Sequence, residues 1–151
     1  MENITVRPLT IENWYAAAEL SVLDDQITFV SPNIHSIAVS RFLPDWIPAG
    51  ICAGDEMVGF VLYGPHEPEE GKKPGWHIMR YMIDKNRQLK GYGKAALKAV
   101  IEDIKQHDPK VEFVDLSVAP ENARAIHVYE TLGFKLTGEL HGDEAVMHMD
   151  V

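Results

Sequence analysis

The sequence predicts an α/β (α+β) fold, a mixed, mostly antiparallel central sheet flanked by helices. Three observations carry this. From Ala49 the chain reads as strands, with "AGICA", the turn "GDE" and "MVGFVLYG" in the pattern of an antiparallel hairpin. The run "KAALKAVIEDIKQH" places Ala96, Leu97, Val100, Ile101 and Ile104 on one stripe, an amphipathic helix between the strand-like runs "WHIMRYMI" and "VEFVDLSVAP". A further helix, "ARAIHVYETL", and a closing hairpin follow, so strands and helices can bury their apolar faces as packed layers.

Taken in order, "NITVRPL" alternates enough for a first strand, and Thr10 is placed to cap a helix through "IENWYAAAELSV", with Glu12 in its first turn. A shorter helix is expected from near Ser36 to before Pro44. Between the two, "DDQITFVSPN" has the composition of a long structured connection rather than a regular element. After the hairpin, "PHEPEEGKKPG" is too rich in Pro, Gly and charge to be anything but a loop. "WHIMRYMI" is apolar on both faces, as a strand near the middle of a sheet should be. Asn122 can cap "ARAIHVYETL" and Gly133 can end it from the C′ position, while "FKLTGEL" and "AVMHMDV" pair around "HGDE". The expected order is one strand, two helices, three strands, helix, strand, helix and two strands.

Composition bounds the class. A chain of 151 residues, 46% hydrophobic and 25% charged, is expected to form a single globular domain over residues 1–151. The lone cysteine, Cys52, rules out an intramolecular disulfide and suits a reduced compartment as a buried strand residue. "MENITVRPLT" lacks the features of a secretory signal and no apolar run approaches ~20 residues, so the cytoplasm is the expected location and no membrane partner is expected. The net charge of −9 disfavours nucleic acid and mildly favours a cationic partner.

The informative stretch is "DKNRQLKGYGKAAL", where a strand feeds two glycines and a helix N-terminus, an arrangement that presents free N–H groups and a positive dipole end to phosphate. A P-loop would need glycine at Gln88 and Ser or Thr at Ala95, and has neither. Gly91-x-Gly93-x-x-Ala96 fits the dinucleotide fingerprint, with Glu112 near the position of a ribose-binding acid. There, however, the acid should end a strand, whereas Glu112 is placed to begin one, and too little chain follows for the second half of such a fold. A third reading takes the longer motif Gln88-x-x-Gly91-x-Gly93 directly between strand and helix.

With "LSVAPENARAIHVYETLGFKLTGEL" downstream, that motif resembles the GCN5-related N-acetyltransferase (GNAT) superfamily over nearly the whole chain. "DDQITFVSPN", "MVGFVLYG" and "RYMIDKNRQLKGYGK" are most similar to its bacterial spermine/spermidine acetyltransferase branch. The resemblance implies an acetyl-CoA-dependent N-acetyltransferase, with acetyl-CoA as cosubstrate, no metal, a small polycationic amine such as spermidine or spermine as acceptor, and a homodimer as a common assembly. It leaves open another acceptor, a protein N-terminus, a lysine or an aminoglycoside, and a non-catalytic acetyl-CoA-binding module.

Site roles follow from the same resemblance. The N–H groups of Gln88 and of Lys90, Gly91, Tyr92, Gly93, Lys94 and Ala95 would cradle the pyrophosphate, and the strand edge at Met82 and Ile83 would pair with the pantetheine. Leu89 stands where many relatives have glycine; it can still donate its N–H there provided its φ stays negative. Asn122 would bond the pantetheine arm and Tyr129 would act as general acid towards the CoA thiolate. Met79 occupies the position of the carboxylate that many relatives use as base, which leaves His77 as a weak base candidate and Arg80 as an ion-pairing residue. Asp24 and Asp25 in one loop and Glu67, Glu69 and Glu70 in another would attract a polyamine to the acceptor groove.

Overall fold

Alternating apolar runs and tight turns assemble a seven-stranded sheet, seen in a computed structural model that describes residues 3–29 and 31–151. Its strands are β1 (Ile4–Pro8), β2 (Ile47–Ala53), β3 (Glu56–Pro65), β4 (Gly75–Ile83), β5 (Phe113–Val118), β6 (Lys135–His141) and β7 (Glu144–Asp150), in spatial order β1-β2-β3-β4-β5-β7-β6. Every pairing is antiparallel except β4 with β5. A parallel pair needs a crossover, and α3 (Tyr92–His107) supplies it; α4 (Ala123–Leu132) connects β5 to the closing hairpin. The mixed sheet, the element order and the Asn122 and Gly133 helix ends follow the sequence reading: Asn122 Oδ1 accepts from Ala125 N–H at 3.3 Å, and Gly133 takes φ 109°.

Two apolar cores pack against opposite sides of the sheet. The larger gathers Ile51, Val58, Tyr63, Ile78 and Leu116 under Leu97, Val100 and Ile104 of α3. The smaller puts Phe60, Leu62 and Met82 under Ala17 of α1 (Trp14–Glu19). Cys52 is buried, and that burial pushes its thiol pKa up, away from reactivity.

The N-terminal third departs from expectation at its helix ends. Thr10 does not cap α1; its hydroxyl accepts from Glu12 N–H at 3.2 Å in a turn, Asn13 Oδ1 closes the turn on Thr10 N–H at 2.6 Å, and the helix starts at Trp14 and stops at Glu19. The second helix, α2 (Asn33–Ser40), begins directly after Pro32 instead of near Ser36. Asn33 is buried there and its Nδ2 donates to Ala17 C=O at 2.9 Å, a tertiary contact that fixes the start of the helix against α1. The connection between them holds a short 3-10 helix at Asp24–Phe29, where only irregular structure was expected. No helix among the described residues is long and apolar enough to cross a membrane.

Candidate active site

The parallel seam between β4 and β5 is short. Gly75 to Ile78 pair with Phe113 to Leu116, and beyond that point the strands diverge. A bulge sits at the divergence: Tyr63 faces Ile78 and Leu62 faces Arg80, so Met79 is an extra residue in β4. Bulges bend a strand and re-aim its side chains, and this one turns the C-terminal half of β4 away from β5. The result is a cleft of about 730 Å³ between Met79–Ile83 on one wall and Ser117, Asn122 and Tyr129 on the other.

The glycine loop forms one end of the cleft, through Gln88, Leu89, Gly91, Gly93 and Lys94. Gly91 precedes α3 with φ 80°, a left-handed conformation that suits glycine. The first helical bond runs from Ala95 N–H to Gly91 C=O at 3.4 Å, which leaves the N–H groups from Gly91 to Lys94 outside the helical ladder. No acidic residue occupies the first turn and no side chain caps it, so the dipole end is open to an anion. Gly93 lies on this turn with space around it. A Cβ there would meet only Tyr81 Oη at 3.8 Å and Ile83 Cγ1 at 3.9 Å, ordinary contacts, so protein packing does not require glycine at this position. The open side faces the cleft, where a bare Cα lets a ligand come close to the backbone.

Two side-chain links hold the loop in place. Gln88 Nε2 donates to Ile83 C=O at 3.0 Å and to Gln26 Oε1 at 2.8 Å, and Gln26 Nε2 returns a bond to Gln88 Oε1 at 3.1 Å. This amide pair ties the 3-10 helix to the loop. Tyr81 Oη donates to Gly93 C=O and so fixes the first turn of α3 to β4. Leu89 breaks the expectation set for it. Its φ is 64°, the one positive value among the described non-glycine residues, and its side chain is 84% exposed. The loop keeps the left-handed path at the position where relatives were expected to have glycine, and the leucine carries the strain.

At the other end Tyr129 is buried against Tyr81 and Phe134, with ring centroids at 6.5 and 6.1 Å. Burial pushes its phenol up to about 12, and the charge of Glu144 adds to the rise, so the hydroxyl keeps its proton at neutral pH. Glu144, at the start of β7, is the sole carboxylate among the described residues that line the cleft, and Ser117 Oγ donates to its Oε1 at 3.3 Å. The sequence reading missed it, because the pairing of β7 with β5 brings it to the site from far along the chain.

Of the residues expected at the cofactor, Met82, Ile83, Gln88, Leu89, Gly91, Gly93, Lys94, Asn122 and Tyr129 line the cleft. Tyr92 instead sends its ring into the larger core, and Lys90 and Ala95 are not among the lining residues. Asp24 and Asp25 are exposed at the start of the 3-10 helix whose Gln26 and Ile27 line the cleft. Glu67, Glu69 and Glu70 are exposed on the β3-β4 loop and do not line it; Glu69 pairs with Lys72 at 2.6 Å. Arg80, expected in an ion pair, donates to Met79 C=O at 2.8 Å and has no ion pair among the described residues. His77 does not line the cleft. Its Nδ1 lies 2.8 Å from Asp115 Oδ1, an oxygen that also receives His66 Nε2 at 2.7 Å. Burial acts to raise the Asp115 carboxyl, but the two imidazole hydrogen bonds outweigh it and hold the group at about 2.

The chain is similar to known acetyltransferases in sequence and in fold. It is 30% identical over 140 residues to a "Probable spermine N(1)-acetyltransferase" of Bacillus subtilis subsp. natto (strain BEST195), and 29% identical over 140 residues to a "Spermine/spermidine N(1)-acetyltransferase" of Bacillus subtilis (strain 168), covering 91% of each chain in both cases. In fold it matches the aminoglycoside acetyltransferase AAC(6')-Ib in complex with coenzyme A and kanamycin, with a TM-score of 0.77 and 21% identity over 98% of this chain and 95% of that one. Residues 11–134 match the family model described as "Acetyltransferase (GNAT) family", and the chain belongs to that family.

Proposed function

We propose that this acetyl-CoA-dependent N-acetyltransferase delivers the acetyl group to a primary amine of a small polycation, with spermidine and spermine as the acceptor class. The observation that carries the reading is Glu144, a carboxylate in the cleft whose charge is felt by Tyr129. Support comes also from the acceptors named for the two Bacillus relatives and from the acidic balance of the chain.

The chemistry assigns each group a task. The N–H groups opening α3 hold the pyrophosphate, and the β4 edge beyond Ile78, free of β5, accepts the pantetheine as a further strand would be accepted. An ammonium has no lone pair, so the acceptor must be drawn in as a cation and then lose a proton; Glu144 attracts the charge and receives that proton. The amine nitrogen attacks the thioester carbon, the C–N bond forms and the C–S bond breaks, and the second nitrogen proton passes to solvent as the amide forms. Tyr129 gives its phenolic proton to the departing sulfur and regains one from solvent. Asn122 caps α4 and lines the cleft, and its task in this reading is to bond the pantetheine arm.

Release of CoA by the purified chain, measured over a panel of spermidine, spermine, an aminoglycoside and a lysine peptide, tests the acceptor class. Turnover is expected with the polyamines. Release with the peptide or the aminoglycoside and none with either polyamine would overturn the assignment.

A further inference from the structure

Outside the cleft, at the paired end of the β4-β5 seam, side chains from β4, from β5 and from the residue just after β3 converge on one point. His66 follows β3 directly and its N–H donates to Gly75 C=O at 2.9 Å, which fixes it beside the start of β4. His77 and Asp115 are direct cross-strand partners in β4 and β5. Sheet register therefore sets all three positions. His66 Nε2, His77 Nδ1 and Asp115 Oδ1 all lie within 4.8 Å of one another, with the two nitrogens at 2.7 and 2.8 Å from the oxygen.

We infer that His66, His77 and Asp115 form a binding site for a divalent transition metal of the Zn²⁺ class, separate from the acetyl-CoA cleft. Two imidazoles and one carboxylate make a donor set suited to Zn²⁺, Co²⁺, Ni²⁺ or Cu²⁺, whereas Ca²⁺ and Mg²⁺ call for oxygen ligands throughout. Three protein donors leave a further position for water or an exchangeable ligand. Both imidazoles turn a ring nitrogen towards the same carboxylate oxygen. With the ring proton on the other nitrogen of each imidazole, these two positions offer lone pairs to the ion. The side chain of His66 is 40% exposed and can swing the short distance that bonds of about 2.1 Å require.

Neighbouring rings restrict how the two imidazoles can turn. His77 is held edge-on by Trp46 at 6.1 Å and stacked by His141 at 6.2 Å, and His66 leans on Phe113 at 5.6 Å. Asp115 and His77 are mostly buried, so the floor of the site is nearly dry while His66 leaves it open to solvent. Sequence spacing gave no hint of it, since its ligands are scattered over some fifty residues and meet only through strand pairing.

The test uses the full chain, stripped with EDTA and dialysed, then titrated calorimetrically with zinc chloride and spectroscopically with Co²⁺. A single equivalent of Zn²⁺ is expected to bind, to raise the Tm and, as Co²⁺, to give visible d–d absorption. His66→Ala removes an exposed ligand without touching the core and should weaken binding by about tenfold or more. His35→Ala, at an exposed position of α2, should leave it unchanged. Binding by the parent chain no tighter than by His66→Ala, or equal loss in His35→Ala, overturns the site. Acetyl-CoA and acceptor kinetics play no part in this readout, so it stands or falls apart from the acceptor assignment.

Discussion

The two ends of the β4-β5 seam start from the same parallel pair and finish as opposites. At the paired end the backbone groups bond across the strands, and His66, His77 and Asp115 close on one another. Past Ile78 the bulge at Met79 parts the strands, and Tyr129, Asn122 and Glu144 face a cleft instead of each other. Polar groups that satisfy one another stabilise the fold even without a ligand; polar groups left facing a cleft rely on a ligand or water to satisfy them. Substitutions at the splayed end should therefore change rates with little effect on stability, and those at the paired end should do the reverse.

The sharpest way to break this contrast is Tyr129→Phe. Loss of the proton donor should lower kcat by about 10²–10⁴ while Tm and the KM for acetyl-CoA stay close to those of the parent. A variant with near-parent kcat would remove Tyr129 from the chemistry. Glu144→Gln comes next, with a fall of roughly 10² in kcat/KM for spermidine, as expected for a group that takes a proton and attracts a cation. An unchanged kcat/KM would assign acceptor binding to the exposed Asp24 and Asp25 instead.

At the paired end, Asp115→Asn in chelated buffer removes the charged acceptor of two imidazole hydrogen bonds. A loss of about 2 kcal/mol in unfolding free energy is expected, read by urea titration, with kcat nearly unchanged. A large kcat effect would mean that the two ends of the seam act as one site. Gly93→Ala tests the cleft from the other direction. The added Cβ meets no protein atom closer than 3.8 Å and alanine favours a helix, so stability should hold or rise by about 0.5–1 kcal/mol. The KM for acetyl-CoA should rise about tenfold, since the methyl group occupies the approach to the phosphate cradle and one decade corresponds to ~1.4 kcal/mol of lost contact.

Local features of this site could be read from the sequence and long-range ones could not. Gln88, Gly91, Gly93, Asn122 and Tyr129 sit in two continuous stretches whose spacing is fixed by a helix start and a helix face, so their order alone brought them together. Glu144 enters through the pairing of β7 with β5, and the Met79 bulge exists only in the register between β3 and β4. The start of α2 was misplaced for the same reason, because Asn33 owes its helical position to a bond with Ala17 in another element. His77 was singled out for the absence of a carboxylate at Met79, yet its partner Asp115 lies across a strand boundary and draws it away from the cleft.

The smallest expected effect concerns Leu89, where the reading of the loop was overturned. A leucine at φ 64° carries about 1–2 kcal/mol of left-handed strain, and with its side chain 84% exposed it recovers little of that by burial. Glycine removes the strain but adds back-bone freedom to the unfolded chain, an offset of about 0.5–1 kcal/mol. Leu89→Gly should thus raise Tm by about 2 °C, since 1 kcal/mol corresponds to roughly 2–4 °C at this chain length. Its N–H direction is unchanged, so the KM for acetyl-CoA should stay within about twofold of the parent's, well under one decade of affinity. If instead Tm rises and KM rises with it, the exposed leucine is itself a ligand contact, retained against its strain because its side chain lines the cleft beside the phosphate cradle.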